Sequence, residues 1–155
     1  MESSEHKQLE SSEHKYTIGI DLLSLAPIVV GFGHASSFIL LLPDVNFELK
    51  VLRKVSMDFG LTSSLLGPKI QIGARVGVRE YLGKKGFRGF YLHQGLGASF
   101  FYDKYDKGNI ILYLTFGGGY KYVLEDGFTV DPFLGLGLGS VGFFILPGLY
   151  LGYTW

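Results

Sequence analysis

The chain alternates apolar and polar residues over eight segments that are separated by turn-rich stretches. The clearest is the segment from Lys69 to Leu82, where every second residue from Ile70 to Val78 is apolar. Successive side chains of a β-strand point to opposite faces, so this spacing predicts a strand with one apolar and one polar face. The predicted strands lie near residues 16–25, 44–52, 54–62, 69–82, 88–101, 109–122, 127–139 and 148–155. No helical period competes with this pattern, and we expect an all-β fold.

The positions of the glycines indicate which face of the strands is inside. The chain has 23 glycines, well above the roughly 7% of ordinary usage, and those of the strands share the polar face, as Gly73, Gly77, Gly117 and Gly135 do. The interior of an eight-stranded barrel is just wide enough for side chains, so small residues are needed there. The bulky aliphatic face then points outward into lipid. We therefore predict an eight-stranded antiparallel up-and-down transmembrane β-barrel over residues 16–155.

The connections alternate between long and short. Long ones are predicted at 26–43, 62–68, 102–108 and 140–147, and tight turns near residues 53, 84 and 125. This layout puts both termini at the short-turn end, as in outer-membrane barrels. Aromatic residues near that end are predicted to form an interfacial girdle. They are Tyr16, Tyr81, Phe87, Tyr122, Phe128, Tyr153 and Trp155.

The alternation from Tyr16 to Trp155, with the final LYLGYTW, resembles the small eight-stranded outer-membrane β-barrel proteins of the OmpX/OmpW-like class. The resemblance implies an outer-membrane location, contact with the lipid bilayer, and recognition by the barrel-assembly machinery through the last strand ending at Trp155. It implies architecture more than activity. The chain departs from the class because it shows no export signal and because its predicted external loops are unusually apolar.

Composition excludes several other classes. The formal net charge is zero, which indicates no nucleic-acid partner, and the absence of cysteine excludes disulfides and thiolate metal sites. No apolar run is long enough for a transmembrane helix. Residues 1–15 repeat the polar sequence ESSEHK and are expected to form a disordered tail. Nothing in the sequence indicates a cofactor or a metal site.

Charged residues on the predicted inner face form the first candidate site. Four acids balance four bases, and we name them the lumen charge network: Asp21, Glu48, Lys50, Asp58, Arg75, Arg79, Lys121 and Asp131. Charges removed from water need partners, so we expect a paired network that plugs the narrow lumen. Arg75 and Arg79 are expected to pair with Asp58 and with Glu48 or Asp131. The alternative is a conducting, porin-like path.

Two of the predicted external loops are strongly apolar and form the second candidate site. Large apolar side chains are costly when left in water. Strands one and eight are neighbours in a closed barrel, so the loops should meet as an apolar rim patch. Its largest members are Phe32, Phe38, Leu40, Phe143 and Phe144. Such a patch would bind or pass a small apolar molecule at the external rim.

The sequence therefore predicts a non-catalytic outer-membrane barrel with a structural or adhesive role, or one that handles small apolar molecules at its rim. One alternative is a soluble lipocalin-like carrier of an apolar ligand, with the apolar face inward. Another is a lipid-modifying outer-membrane hydrolase, with His34 and Ser36 as candidate residues and Glu48 on the next strand. Its nucleophile, base and orienting group must meet in space. His93 is expected to be a hydrogen-bonded lumen histidine.

Overall fold

The computed structural model describes residues 15–22, 39–66, 69–83, 87–103, 106–139 and 142–155. The predicted polar tail therefore lies outside the described residues, except for Lys15. The same holds for Phe32, His34, Ser36 and Phe38, and for the side chains of Leu40 and Phe144. Within the described ranges, no helix is long and apolar enough to cross a membrane.

Eight strands follow one another around a closed barrel. They are β1 (Tyr16–Asp21), β2 (Ile39–Leu52), β3 (Val55–Leu66), β4 (Lys69–Tyr81), β5 (Gly89–Asp103), β6 (Asp106–Val123), β7 (Phe128–Gly139) and β8 (Gly142–Thr154). Each strand pairs antiparallel with the next, and β8 pairs with β1 to close the sheet. The predicted architecture of eight antiparallel strands in sequence order is confirmed.

Five strands, β2, β3, β5, β6 and β8, extend further toward the long connections than the sequence predicts, whereas β1 ends at Asp21 and is shorter than the predicted 16–25. β2 begins at Ile39 and β3 continues to Leu66, while β6 begins at Asp106 and β8 at Gly142. In β3 the polar residues Ser63 and Ser64 pair with β4 although the alternation has ended there. Backbone hydrogen bonding is open to almost any residue, so the ladder continues beyond the segment that its hydrophobic pattern marks.

Side chains of the two faces have opposite exposure, as the alternation predicts. β7 shows this over its whole length, where buried and exposed residues alternate. The exposed outer face is aliphatic and aromatic: Ile18, Ile20, Val45, Phe59, Ile72, Leu96, Leu112, Leu114, Leu134 and Leu136 are examples. The buried inner face is polar: Glu48, Asp58, Arg79, His93, Lys121 and Asp131 are each at most 6% exposed. The barrel therefore carries its hydrophobic surface outside.

The inner glycines allow adjacent walls to approach closely. A Cβ added at Gly117 would lie 2.6 Å from the Cα of Gly135 on β7, and one at Gly152 would meet the carbonyl oxygen of Ile18 on β1. Backbone atoms cannot move aside as a flexible side chain can. Glycine is therefore required at these two positions by the space available in the barrel.

The prediction is wrong for two members of the aromatic girdle, which lie inside the barrel rather than on its outer surface. Tyr16, Tyr122, Phe128, Tyr153 and Trp155 are exposed on the outer surface as predicted, but Tyr81 and Phe87 are only 1% and 5% exposed. Tyr81 lies two residues after Arg79 and therefore shares its inward face. Phe87 turns back at a φ of 52°, and its ring centroid lies 5.9 Å from that of Tyr81. Both rings pack inside the barrel.

Candidate functional site

Arg79 is the centre of the charged interior. Its Nη1 lies 2.6 Å from Oδ2 of Asp131 on β7 and 3.4 Å from Oε2 of Glu48 on β2, and its Nε lies 3.7 Å from Oδ1 of Asp58 on β3. The guanidinium carbon is also 4.7 Å from the ring centroid of Tyr91. Carboxylates from three strands therefore converge on one guanidinium from β4.

Glu48 accepts hydrogen bonds from several sides. Lys121 Nζ donates to Oε2 at 2.7 Å, while Oε1 accepts from the hydroxyl of Tyr81 at 2.7 Å and from Ser56. Glu48 is 1% exposed. A buried carboxylate is tolerated where such donors replace water, so these contacts explain how the charge is held inside the barrel.

Three threonines and one phenylalanine line the interior near the short-turn end. Lys121 Nζ donates to Oγ1 of Thr17 at 2.5 Å and lies 3.8 Å from the centre of the Phe87 ring. Oγ1 of Thr154 is 2.8 Å from that of Thr17 and 2.7 Å from that of Thr129. Hydroxyls from β1, β7 and β8 thus form a continuous chain below the ammonium group.

A second contact pair lies beside Arg79. His93 Nε2 is 3.2 Å from Oδ1 of Asp58, and the imidazole meets the ring of Phe133 edge-on at 5.4 Å. Both members of the pair are buried. A Cβ at Gly77 would lie 2.6 Å from Oδ1 of Asp58, so this glycine makes the space that the histidine and carboxylate occupy.

Arg75 lies on the same face of β4 as Arg79, four residues nearer to the long connection that precedes this strand. Its Nη2 donates to the hydroxyl of Tyr150 at 2.5 Å, and its guanidinium carbon lies 5.5 Å from the same ring. Asp21 accepts a hydrogen bond from the backbone N–H of Leu149 at 2.9 Å. Lys50 is half-buried on the same face of β2 as Glu48.

Five of the eight residues of the lumen charge network are in direct contact with one another: Glu48, Asp58, Arg79, Lys121 and Asp131. Arg79 contacts the three carboxylates of this group. Arg75 instead has the phenol of Tyr150 as its hydrogen-bond partner.

Sequence reasoning did not assign roles to the interior aromatic residues. Tyr91 donates to Oδ1 of Asp131 at 2.6 Å, and Phe133 stacks parallel to Tyr91 at 6.5 Å. Both share the polar face of their strands, since Tyr91 lies two residues before His93 and Phe133 two residues after Asp131. The alternation of the strands therefore already indicated that Tyr91 and Phe133 face the interior.

The cluster offers little access to a substrate. Asp58 and His93 are 0% and 6% exposed, and Glu48 already accepts hydrogen bonds from four side chains. The described residues contain no group of three or more His, Asp or Glu side chains able to hold a metal ion. The described contacts of this interior pair buried charges of opposite sign.

The rim patch is described only in part. Phe143 is 65% exposed near the start of β8, and Ile145, two residues later on the same face, is 62% exposed. Phe143 pairs with Leu138 of β7, which is 57% exposed. An apolar surface is therefore present on β7 and β8, while its extension to the first connection stays a prediction.

Neither a family model nor a curated protein matches this sequence. Among solved structures, the backbone structure of the Yersinia pestis outer membrane protein Ail in a phospholipid bilayer nanodisc is similar, with a TM-score of 0.61 over 92% of this chain and 100% of Ail. The chain has the fold of Ail. The two sequences are 12% identical, so the likeness concerns the fold alone. It agrees with the architecture that the resemblance to the OmpX/OmpW-like class implies.

Proposed function

We propose that the chain is a non-catalytic transmembrane β-barrel of an outer membrane, with a structural or adhesive role. The observation that carries this proposal is that the Ail-like barrel has its apolar side chains outside and its charged side chains inside, the reverse of a soluble barrel. Its exposed outer face is aliphatic, while its ion pairs are buried inside. A soluble protein rarely exposes a contiguous apolar surface of this extent. Lipid is the medium that this outer face suits.

The exposed aromatic residues support the same proposal. Tyr16 stacks on Phe47 with ring centroids 6.2 Å apart, and Tyr153 stacks on Trp155 at 6.3 Å. The rings of Tyr16 and Trp155 are tilted to each other at 6.0 Å. These rings lie on the outer surface beside the chain terminus, at the short-turn end. Amphipathic rings at such a level are typical of membrane interfaces.

Heat-modifiable migration on gels and the requirement for detergent test the membrane location. We expect the purified chain to migrate differently before and after boiling and to aggregate when detergent is withdrawn. A monomer that stays folded without detergent or lipid would contradict the proposal and favour the soluble lipocalin-like carrier. The geometry argues against the carrier, because its ligand needs an apolar interior and the described interior is charged.

The interior is proposed to be a plug rather than a porin-like path. Support comes from the contacts of Arg79 across the lumen and from Phe87 and the threonine chain below Lys121. A planar bilayer containing the folded protein should show no steady conductance. A stable ohmic conductance would refute the plug without affecting the proposed membrane location.

Handling of a small apolar molecule at the rim is a second candidate role, favoured by the exposure of Phe143 and Ile145. Replacement of Phe38, Leu40, Phe143 and Phe144 together by Ser should weaken binding of an apolar fluorescent probe to the folded barrel. Leu52→Ser is the matched control, since Leu52 is 63% exposed beside the β2–β3 turn at the opposite end of the barrel. Equal binding by wild type and the fourfold variant would exclude the rim site.

The hydrolase alternative has its own test. The folded protein in micelles should turn over neither lipid A nor phospholipid. Any turnover would contradict the non-catalytic proposal, and turnover abolished by His34→Ala and Ser36→Ala would assign the reaction to these residues. Turnover that survives both substitutions would exclude the candidate residues themselves.

Recognition by the barrel-assembly machinery is proposed through β8, which ends beside the exposed Trp155. Trp155→Ala should slow assembly by reconstituted machinery while leaving spontaneous folding into detergent micelles unchanged. Equal slowing of both processes would show that Trp155 acts only in folding.

A further inference from the structure

An open cavity lies on the wall of the barrel at the short-turn end, where β5 begins and β6 ends. Its volume is about 350 Å³, and its lining includes Arg88, Gly89, Tyr120, Tyr122 and Val123. We call it the turn pocket. We propose that the turn pocket binds the phosphate of a phospholipid headgroup, an inference that rests on the proposed membrane location of the barrel.

Arg88 supplies the charge complementarity. It is exposed, directly before the first residue of β5, and its guanidinium carries donors in a planar fork that matches the oxygens of a phosphate. The described lining of the turn pocket contains no acidic residue. An anionic group is therefore the ligand that this end of the pocket favours.

Two tyrosines supply hydroxyl groups and place the pocket at the membrane interface. Tyr120 and Tyr122 are exposed on the outer face, with ring centroids 6.5 Å apart. Phe90 holds Tyr120 edge-on at 4.7 Å. Aromatic rings of this kind sit at headgroup level, which is where lipid phosphates lie. Their phenol groups can donate hydrogen bonds to the same phosphate that Arg88 attracts.

Gly89 forms part of the pocket wall and lies beside open space. Its φ is 95°, and a Cβ added there would meet no heavy atom within 4 Å. Gly89 pairs with Lys121 as the first residue of the β5–β6 ladder. The strand therefore begins beside free space rather than against a packed neighbour, and the volume is within the range of small-ligand sites.

The exposed apolar side chains next to the pocket favour a lipid over free phosphate as its ligand. Phe90 and Leu92 are 66% and 55% exposed along β5 above the pocket. An acyl chain attached to the bound phosphate can lie against these side chains. In the proposed orientation the short turns face the periplasm, so the lipid belongs to the leaflet on that side.

The test is a titration of short-chain phosphatidylglycerol into the folded full-length protein in maltoside micelles, followed by the NMR shift of the Gly89 amide. Arg88→Gln should weaken binding by about fivefold, the effect of one basic residue near a lipid surface. The matched control is Arg53→Gln, because Arg53 is exposed in the β2–β3 turn at the same end of the barrel. This control should bind like wild type, and equal weakening by both substitutions would overturn the site.

Two further ligands separate the parts of the proposal. Diacylglycerol shares the acyl chains without the phosphate, and inorganic phosphate shares the phosphate without the chains. Neither should shift Gly89 as phosphatidylglycerol does. Equal binding of diacylglycerol would overturn the phosphate site, and equal binding of inorganic phosphate would overturn the lipid as its source.

Heat-modifiable migration of each variant in the same micelles shows independently that the barrel is folded. A folded barrel that inserts into phospholipid vesicles but does not bind phosphatidylglycerol overturns this inference and leaves the proposed function intact. A chain that stays folded and monomeric without detergent overturns both.

Discussion

The Nη1 atom of Arg79 on β4 lies 2.6 Å from Oδ2 of Asp131 on β7. These strands are separated by two others in the sheet order, so the ion pair crosses the barrel interior. Arg79 is 2% exposed and Asp131 3%. The contact joins two walls that share no backbone hydrogen bond.

Arg79→Met should destabilise the folded barrel by about 3–5 kcal/mol, because three buried carboxylates lose their common partner. The free energy of unfolding by urea in detergent micelles measures this loss. Arg53→Met, in an exposed turn, is the control and should have little effect. Equal stability of the two variants would show that the crossing ion pair contributes nothing.

Tyr81→Phe should cost about 1.5–3 kcal/mol, the value of a hydrogen bond to a charged group. Its hydroxyl donates to the buried carboxylate of Glu48 at 2.7 Å. Tyr16→Phe is the matched control, since Tyr16 is exposed on the outer surface. Urea unfolding should give a lower free energy of unfolding for Tyr81→Phe than for Tyr16→Phe. Equal free energies of unfolding would show that the Tyr81 hydroxyl does not stabilise Glu48.

Gly152→Ala should destabilise the seam where β8 meets β1 by about 1–3 kcal/mol or prevent folding. The new Cβ would meet the backbone of Ile18 and lie 2.7 Å from the Cα of Gly19. Gly19→Ala is the control on the paired residue, because its Cβ would find its nearest atom at 3.4 Å. Heat-modifiable migration gives the folded fraction of each. Similar folded fractions would mean that the seam relaxes around the added methyl group.

Leu96→Arg should destabilise the barrel in phospholipid vesicles by about 2–4 kcal/mol, the cost of a basic residue on the lipid face near the bilayer centre. Leu96 is 52% exposed at the middle of β5. Leu52→Arg is the control, since Leu52 is 63% exposed beside the β2–β3 turn, and it should cost about 0–1 kcal/mol. Reversible folding into vesicles measures both. Equal effects would show that Leu96 faces water.

Much of this arrangement is readable from local patterns. The alternation of β4 places Arg79 on the face opposite Ile72 and Val76 whatever the rest of the chain does, because neighbouring side chains of a strand point to opposite sides. The spacing of strands and turns then leads to a closed antiparallel sheet. The glycines on the same face as Arg79 indicate that this face is the crowded interior.

Other features depend on contacts between distant residues. The pattern near the β4–β5 turn marks Tyr81 and Phe87 as aromatic residues at a strand end, and either side of the wall is possible for such residues. Only the packed barrel shows that Phe87 folds inward over the ammonium of Lys121. Phe87 and Lys121 are far apart in the sequence, so no local pattern records this contact.

The sequence by itself determined the number of strands, their order and which face of each strand is polar, because these follow from the two-residue period and from short turns. Tertiary structure decided which charges meet. Arg79 reaches Asp131 and Glu48, while Arg75, four residues earlier on the same face, reaches Tyr150 instead. Those partners depend on how far each strand is staggered when the barrel closes, a distance set by the register of all eight strands together.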